Sequence, residues 1–206
     1  MKVARALAFA VATLAVTPLV ASAAPLVRQG TIEDWEVADI WQLTVTGGAF
    51  SVTTQHPLGT GIDTQLFLFD AFWHGVAGDD DDPTLNPNPT GALPSTISCP
   101  ALSCGALSAG TYYLAVAPYN IDPIDSGGNL IFPDVDSPQV GPWGPGGANA
   151  FAGFNGGPVG YPYSGDYTLT FTGVEEAQPV PEPATLTLLG TGALALVRRA
   201  RRKTTA

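Results

Sequence analysis

Positive charge is almost absent from the long middle of this sequence. Of its 8 lysines and arginines, Lys2 and Arg5 stand at the start, and Arg198, Arg199, Arg201, Arg202 and Lys203 crowd the end. Arg28 alone lies between them. All 18 acidic residues fall between Glu33 and Glu182, so the body is far more acidic than the formal net charge of −10 suggests. Nucleic-acid binding needs Lys and Arg to neutralise phosphates, and this lack excludes it. Such a field favours cations and keeps the body soluble. Catalytic signatures are missing too. There is no Gly-x-Ser-x-Gly, no His-Glu-x-x-His and no Walker sequence, which removes the nucleophile elbow, the zincin site and the P-loop. His56 precedes Pro57, and His74 sits beside Trp73. Neither comes with the motif that would give it a positioned role. The body therefore reads as non-catalytic. A secreted hydrolase using a pair of acidic residues is the alternative, because carboxylates abound.

Cysteine is nearly absent as well. Cys99 and Cys104 are the two present, and they do not form a CxxC redox pair. Both histidines lie well upstream, too far to complete a zinc site in this stretch. In an exported chain, two cysteines most simply form one disulfide. The last absence is of sustained helical periodicity between Ala24 and Gly173. Gly and Pro punctuate this body heavily, and the pattern argues for one all-β domain with long loops.

The strands are readable by alternation. Ile40–Thr46 places Trp41, Leu43 and Val45 on one face, and Phe50–Thr54 points Phe50 and Val52 inward. Gly47-Gly48 between them predicts a hairpin. Gln65–Phe69 is continuously apolar, as in a strand covered on both faces. Thr111–Ala117 is rich in strand formers, Tyr167–Phe171 alternates with Tyr167, Leu169 and Phe171 on one face, and Leu26–Gln29 fits an edge strand. Residues 120–164 carry repeated Gly and Pro and read as a long insertion, either functional or without fixed structure. Its aromatics, Trp143, Phe151, Phe154, Tyr161 and Tyr163, are candidates to stack on sugar rings or to pack over the sandwich. Asp79, Asp80, Asp81 and Asp82 place four carboxylates on one loop. They are candidate calcium ligands, since calcium takes oxygen donors. The opposing reading is a solvated loop of like charges. Glu33, Asp34 and Asp39 form a further acidic group, and Asp122, Asp125, Asp134 and Asp136 another.

Both ends carry targeting features. Residues 1–23 have a basic start, an apolar run from Ala6 to Val20, and Ala21-Ser22-Ala23, a small-x-small cleavage site for signal peptidase. Residues 174–179 read as a linker. Val180-Pro181-Glu182-Pro183 is a stiff extended segment in which proline postpones any helix until after Pro183. Ala184–Val197 is an uncharged apolar stretch, shorter than the ~20 residues of an ordinary span. The basic cluster from Arg198 to Lys203 would hold that end on the cytoplasmic side.

Pro181-Glu182-Pro183, the apolar stretch and the arginine cluster together resemble the PEP-CTERM sorting signal, here over residues 180–206. The resemblance implies an exported protein of a Gram-negative bacterium. It would be held briefly in the inner membrane by a transmembrane helix, processed by an exosortase near Pro-Glu-Pro, and passed to the cell surface or outside. Proteins of this kind are linked to biofilm or exopolysaccharide matrix. A second resemblance covers most of Glu33–Phe171. Asp39-Ile40-Trp41, Asp63–Asp70, the acidic loop, Ala109–Tyr113 and Gly165-Asp166-Tyr167 are similar to the bacterial pre-peptidase C-terminal domain. That implies a jelly-roll-like β-sandwich over residues 24–173, flanked by a signal helix and a C-terminal transmembrane helix.

Overall fold

A computed structural model describes residues 24–33, 37–55, 62–82, 85, 94–99, 104–133, 139–156 and 164–180. The signal segment, His56, Asp34, Asp134, Asp136, Tyr161, Tyr163 and everything after Val180 lie outside the described residues.

The described body is all-β. Its strands are β1 (Leu26–Ile32), β2 (Asp39–Val45), β3 (Phe50–Gln55), β4 (Thr64–Phe69), β5 (Gly75–Asp79), β6 (Thr96–Cys99), β7 (Gly110–Pro118), β8 (Pro123–Ile124), β9 (Gly153–Phe154), β10 (Gly165–Thr172) and β11 (Val174–Pro179). A four-stranded sheet runs β1-β10-β3-β6, and a five-stranded sheet runs β11-β2-β7-β4-β5. All the ladders between these strands are antiparallel. Alternation sends Trp41, Leu43, Val45, Leu66, Leu68, Leu114 and Val116 from one sheet against Phe50, Val52, Ile97, Tyr167, Leu169 and Phe171 from the other. This is the principal core. It is tied across by polar bonds at one end, where Trp41 Nε1 donates to Tyr167 Oη at 2.8 Å and Tyr167 Oη donates to Asp39. Tyr167 lies under Gly30, where an added Cβ would sit 2.3 Å from its Cζ and Oη. Glycine is needed there so that the ring can reach Trp41.

The expected hairpin at Gly47-Gly48 does not form. β2 pairs with β7 and β11, and β3 pairs with β10 and β6. The two glycines have φ of 91° and 88° and carry the chain from one sheet to the other. The Gly48 amide and carbonyl bond to Leu107, so the turn is anchored to neither strand it joins. A turn signature fixes local bending and leaves open which sheet the next strand enters.

The five-stranded sheet is covered on its outer face as well. Phe67, Phe69, Ala115 and Ala117 point away from the principal core and meet Ile121, Ile131 and Phe132 of the insertion, with Val140, Phe151 and Phe154 beside them. Every residue of β4 is buried, which explains its unbroken apolar sequence. The described part of the insertion is thus a folded cover rather than a structureless loop. Asp125 is its hub. Its carboxylate accepts bonds from the amides of Gly127 and Asn129 and from the side chains of Asn129 and Asn149. These donors, the Asn129 amide first, hold its carboxyl down to about 2.

The region expected as a linker, residues 174–179, is strand β11. It pairs with β2 from Val174↔Val45 to Pro179↔Trp41, with a register shift between Val174 and Glu176. Its composition, VEEAQP, is poor in strand formers, and Ala177 is its one buried side chain. An edge strand needs little more than backbone pairing, so the domain extends past residue 173.

Candidate functional site

Three places carry chemistry: an aromatic surface beside the insertion, the acidic turn after β5, and the point where the last strand meets the sorting segment.

The aromatic surface is built on a tight turn after β4. Asp70 Oδ1 accepts the amides of Phe72 at 2.8 Å and His74 at 2.9 Å, and Trp73 N donates to the Asp70 carbonyl at 3.0 Å. His74 Nδ1 lies 3.7 Å from Asp70 Oδ2. This network holds Trp73 at φ 66°, a conformation that a bulky residue rarely adopts. The ring is fixed in turn. It stacks on Tyr113 at 4.0 Å and 8°, and lies 5.5 Å from Phe151. Phe151 continues the cluster to Phe69 at 5.1 Å and Phe154 at 5.0 Å. Phe151 and Phe154 therefore pack over the sandwich. Two aromatics at this end stay largely open: Phe72 is 77% exposed, and Trp143, whose indole lies against Gly141, is 71% exposed. Their segments meet, since a Cβ on Gly75 would sit 2.8 Å from Pro142 Cβ. Phe72 escaped the sequence reading. A lone phenylalanine after a strand carries no signal until the turn exposes it.

The acidic run is divided rather than gathered. Asp79 and Asp80 are buried, while Asp81 and Asp82 are half-buried. Asp79 ends β5, and its Oδ2 accepts the Thr96 amide of β6 at 2.6 Å, joining the edges of the two sheets. The Asp80 carbonyl accepts from Ser95 Oγ, which also reaches the Thr64 carbonyl. Burial pushes the Asp79 carboxyl up to about 7. The Thr96 bond opposes this, and nearby Asp82 and Asp81 add to it. Among the described residues no group of three or more His, Cys, Asp or Glu is placed to hold a metal ion. The four aspartates expected on one loop as calcium ligands are not gathered about one point. Strand pairing turns the first two inward as structural acceptors. Among the described residues Glu33, Asp39, Asp122 and Asp125 form no such group either; Asp34, Asp134 and Asp136 lie outside them. Asp122 is bonded to Gln65 and Asn155.

Gln139 and Val140 of the insertion brace the same flank. Val140 exchanges both backbone bonds with Gly78 of β5, at 2.7 and 2.9 Å. Gln139 Oε1 accepts the Ser98 amide of β6 at 2.6 Å, and its Nε2 faces Cys104 Sγ at 3.3 Å. Cys99 and Cys104 form the expected disulfide, with Cα atoms 5.5 Å apart.

On the opposite flank, β11 ends at Pro179, and the Val180 amide donates to the Ile40 carbonyl at 2.7 Å. Pro179 lacks an N–H, but the position costs no ladder bond. With Val180 N–H aimed at β2, the preceding nitrogen points away from it. Arg28, on the neighbouring edge strand β1, donates from Nε to the Ala177 carbonyl at 3.1 Å and from Nη1 to the Val27 carbonyl at 2.9 Å. Among the described residues no helix is long and apolar enough to cross a membrane, and Ala184–Val197 lies outside them.

Residues 179–203 match the PEP-CTERM protein-sorting motif. The match takes in the Pro-Glu-Pro segment, the apolar stretch and the basic cluster. It marks the chain as an exported protein sorted by an exosortase and held in the membrane in passing by its C-terminal region. No curated protein matches the chain.

Proposed function

We propose that the sandwich is a non-catalytic module of the cell surface or extracellular matrix that binds a polysaccharide through the aromatic surface around Trp73. The observation that carries this reading is the pair Phe72 and Trp143, held open to solvent beside a turn strained to fix Trp73. Rigid exposed aromatic faces suit sugar rings, because they bury apolar C–H faces at little entropic cost. Charge narrows the ligand. A body with Arg28 as its one cation repels anionic polymers, so a neutral or amino-bearing glycan is the fitting class. The two-sheet fold is in keeping with a jelly-roll of the pre-peptidase C-terminal type. Signal peptidase and the exosortase would remove the ends, leaving a mature form that begins at Ala24 and has lost Arg198–Lys203.

The test uses the exported protein on an array of neutral, amino-bearing and anionic glycans, with a reducing-end assay on the same set. Binding to the first two classes, lost in Phe72→Ala with Trp143→Ala, is the expected outcome. New reducing ends would replace this reading with the hydrolase. Intact mass of the exported form checks both termini.

A further inference from the structure

The sorting motif and the sheet share residues. The matched motif begins at Pro179, and Pro179 is also the last residue of β11. Pro179 stands opposite Trp41, and Val180, one residue further into the motif, is bonded through its amide to Ile40. There is no spacer between the folded domain and the segment that is processed. An enzyme that takes an extended segment needs its backbone groups free for its own contacts. Here the leading backbone of the motif is already committed to β2.

The strand that holds it is built to let go. β11 is an edge strand with β2 as its one ladder neighbour. Its pairing is broken by the register shift at Val174/Glu176, and its one buried side chain is the small Ala177. Glu175, Glu176, Gln178 and Pro179 add nothing to the core. Besides the ladder, Arg28 Nε holds it at the Ala177 carbonyl. Segments with few buried contacts open locally, far below the cost of global unfolding.

We propose that β11 is a gate on sorting: the end of the strand, Ala177 to Val180, must peel from β2 before the exosortase can take Pro181-Glu182-Pro183, and Arg28 is the latch that sets how often it does. This rests on the sorting reading and adds its regulation. Processing then runs at the intrinsic rate multiplied by the open fraction of β11. A body that holds β11 well is handed over slowly, and one that holds it loosely is handed over fast.

The test follows the full chain, pulse-labelled in a Gram-negative host carrying the exosortase, with precursor and product separated by mass. A flexible Gly/Ser spacer inserted between Val180 and Pro181 frees the motif without touching the strand. It should speed processing roughly tenfold or more, since peeling Ala177 to Val180 breaks more than one ladder bond. A staple made by Gln42→Cys with Gln178→Cys, residues opposite on the ladder, should slow it by at least as much, and a reductant should restore the rate. Arg28→Gln should lie between wild type and the spacer variant. Staple formation is read from gel mobility; if it does not close, the spacer variant decides. A spacer variant processed at the wild-type rate, or a closed staple without effect, overturns the gate. The sorting reading is tested separately by Pro181, Glu182 and Pro183 all changed to Ala. If wild type and this triple variant are equally uncut, the sorting reading fails and the gate with it. If wild type alone is cut while spacer and staple run at its rate, the gate fails by itself.

Discussion

The sandwich has two flanks where its sheets end, and they are closed by different means. At β5 and β6 the closure is redundant. Val140 adds a pair of backbone bonds to β5, Gln139 caps an amide of β6, Asp79 bridges the two strands, and a disulfide ties the end of β6 to Cys104. At β1 and β11 the side-chain bond across the flank, among the described residues, is that of Arg28, with Leu26 and Val174 packed against the core. Exposed sheet edges invite pairing with other chains, and the usual remedies are covers, charges and bulges. This molecule spends a long insertion on one flank and leaves the other openable. The sorting segment leaves from the openable side. On the gate proposed above, coverage follows which edge must move.

The comparison can be broken most forcefully through the insertion. Phe132 is buried against Phe67 and Phe69, with ring centroids 5.3 and 5.9 Å away. Phe132→Ala should cost about 3–5 kcal/mol in urea unfolding. It should also speed amide exchange at Gly78 and Ser98 while leaving β11 as it was. Equal loosening of both flanks would mean that the cover stabilises the sandwich as a whole.

Asp79 gives the next effect, and it has a sign. Its folded pKa, about 7, lies above the unfolded value of 3.8. The folded state therefore binds more protons across that window, and the contribution to stability is greatest below pH 4 and is lost as pH rises towards 7. At about 1.4 kcal/mol per unit, the loss is on the order of 3–4 kcal/mol. Asp79→Asn keeps an acceptor for the Thr96 amide and should flatten this part of the stability–pH curve. An unchanged slope would remove Asp79 as its source. Asp125, held down to about 2, acts in the opposite sense: its contribution is lost only as pH falls from 3.8 through 2.

The disulfide comes third. It closes a short loop, and opening it with a reductant, or by Cys99→Ser with Cys104→Ser, should lower stability by about 2 kcal/mol. The smallest effect belongs to the other flank. Arg28→Gln should cost about 1 kcal/mol, the worth of one hydrogen bond. Its mark should be faster exchange at the Val180 amide with the covered flank unmoved, measured by hydrogen exchange of the intact chain.

Much of the sandwich was legible because alternation reports burial directly. Trp41, Leu43, Val45, Phe50, Val52, Tyr167, Leu169 and Phe171 all point where their spacing placed them. Topology was less legible. Gly47-Gly48 reads the same whether a strand turns back beside its neighbour or crosses to the facing sheet. β11 was missed because an edge strand can be made of Glu, Gln and Pro, held by backbone alone. β5 and β6, and the Asp79 bond that links them, were hidden for a related reason. Gly75–Asp79 has two glycines and an aspartate, and Asp79 looks solvated until Thr96 is seen to need its acceptor. The insertion read as either functional or without fixed structure, since Gly and Pro dominate it. Asp125 with Asn129 and Asn149 was the available clue, a carboxylate surrounded by short amides. Trp73 gave none, because a strained backbone shows only in the structure.

Arg28 has one more consequence, and it concerns detection. Trypsin cuts after lysine and arginine. In a mature form that has shed both termini, Arg28 is the sole such residue, and it lies within β1, paired along its length to β10. Native protein thus offers trypsin one site, inside a strand. Even when denatured it yields the short peptide Ala24–Arg28 and the undivided remainder, neither suited to routine mass-spectrometric identification. Surveys of exported or matrix material that rely on tryptic peptides would pass over this protein however abundant it is. Digestion at its many acidic or aromatic residues would bring it into view.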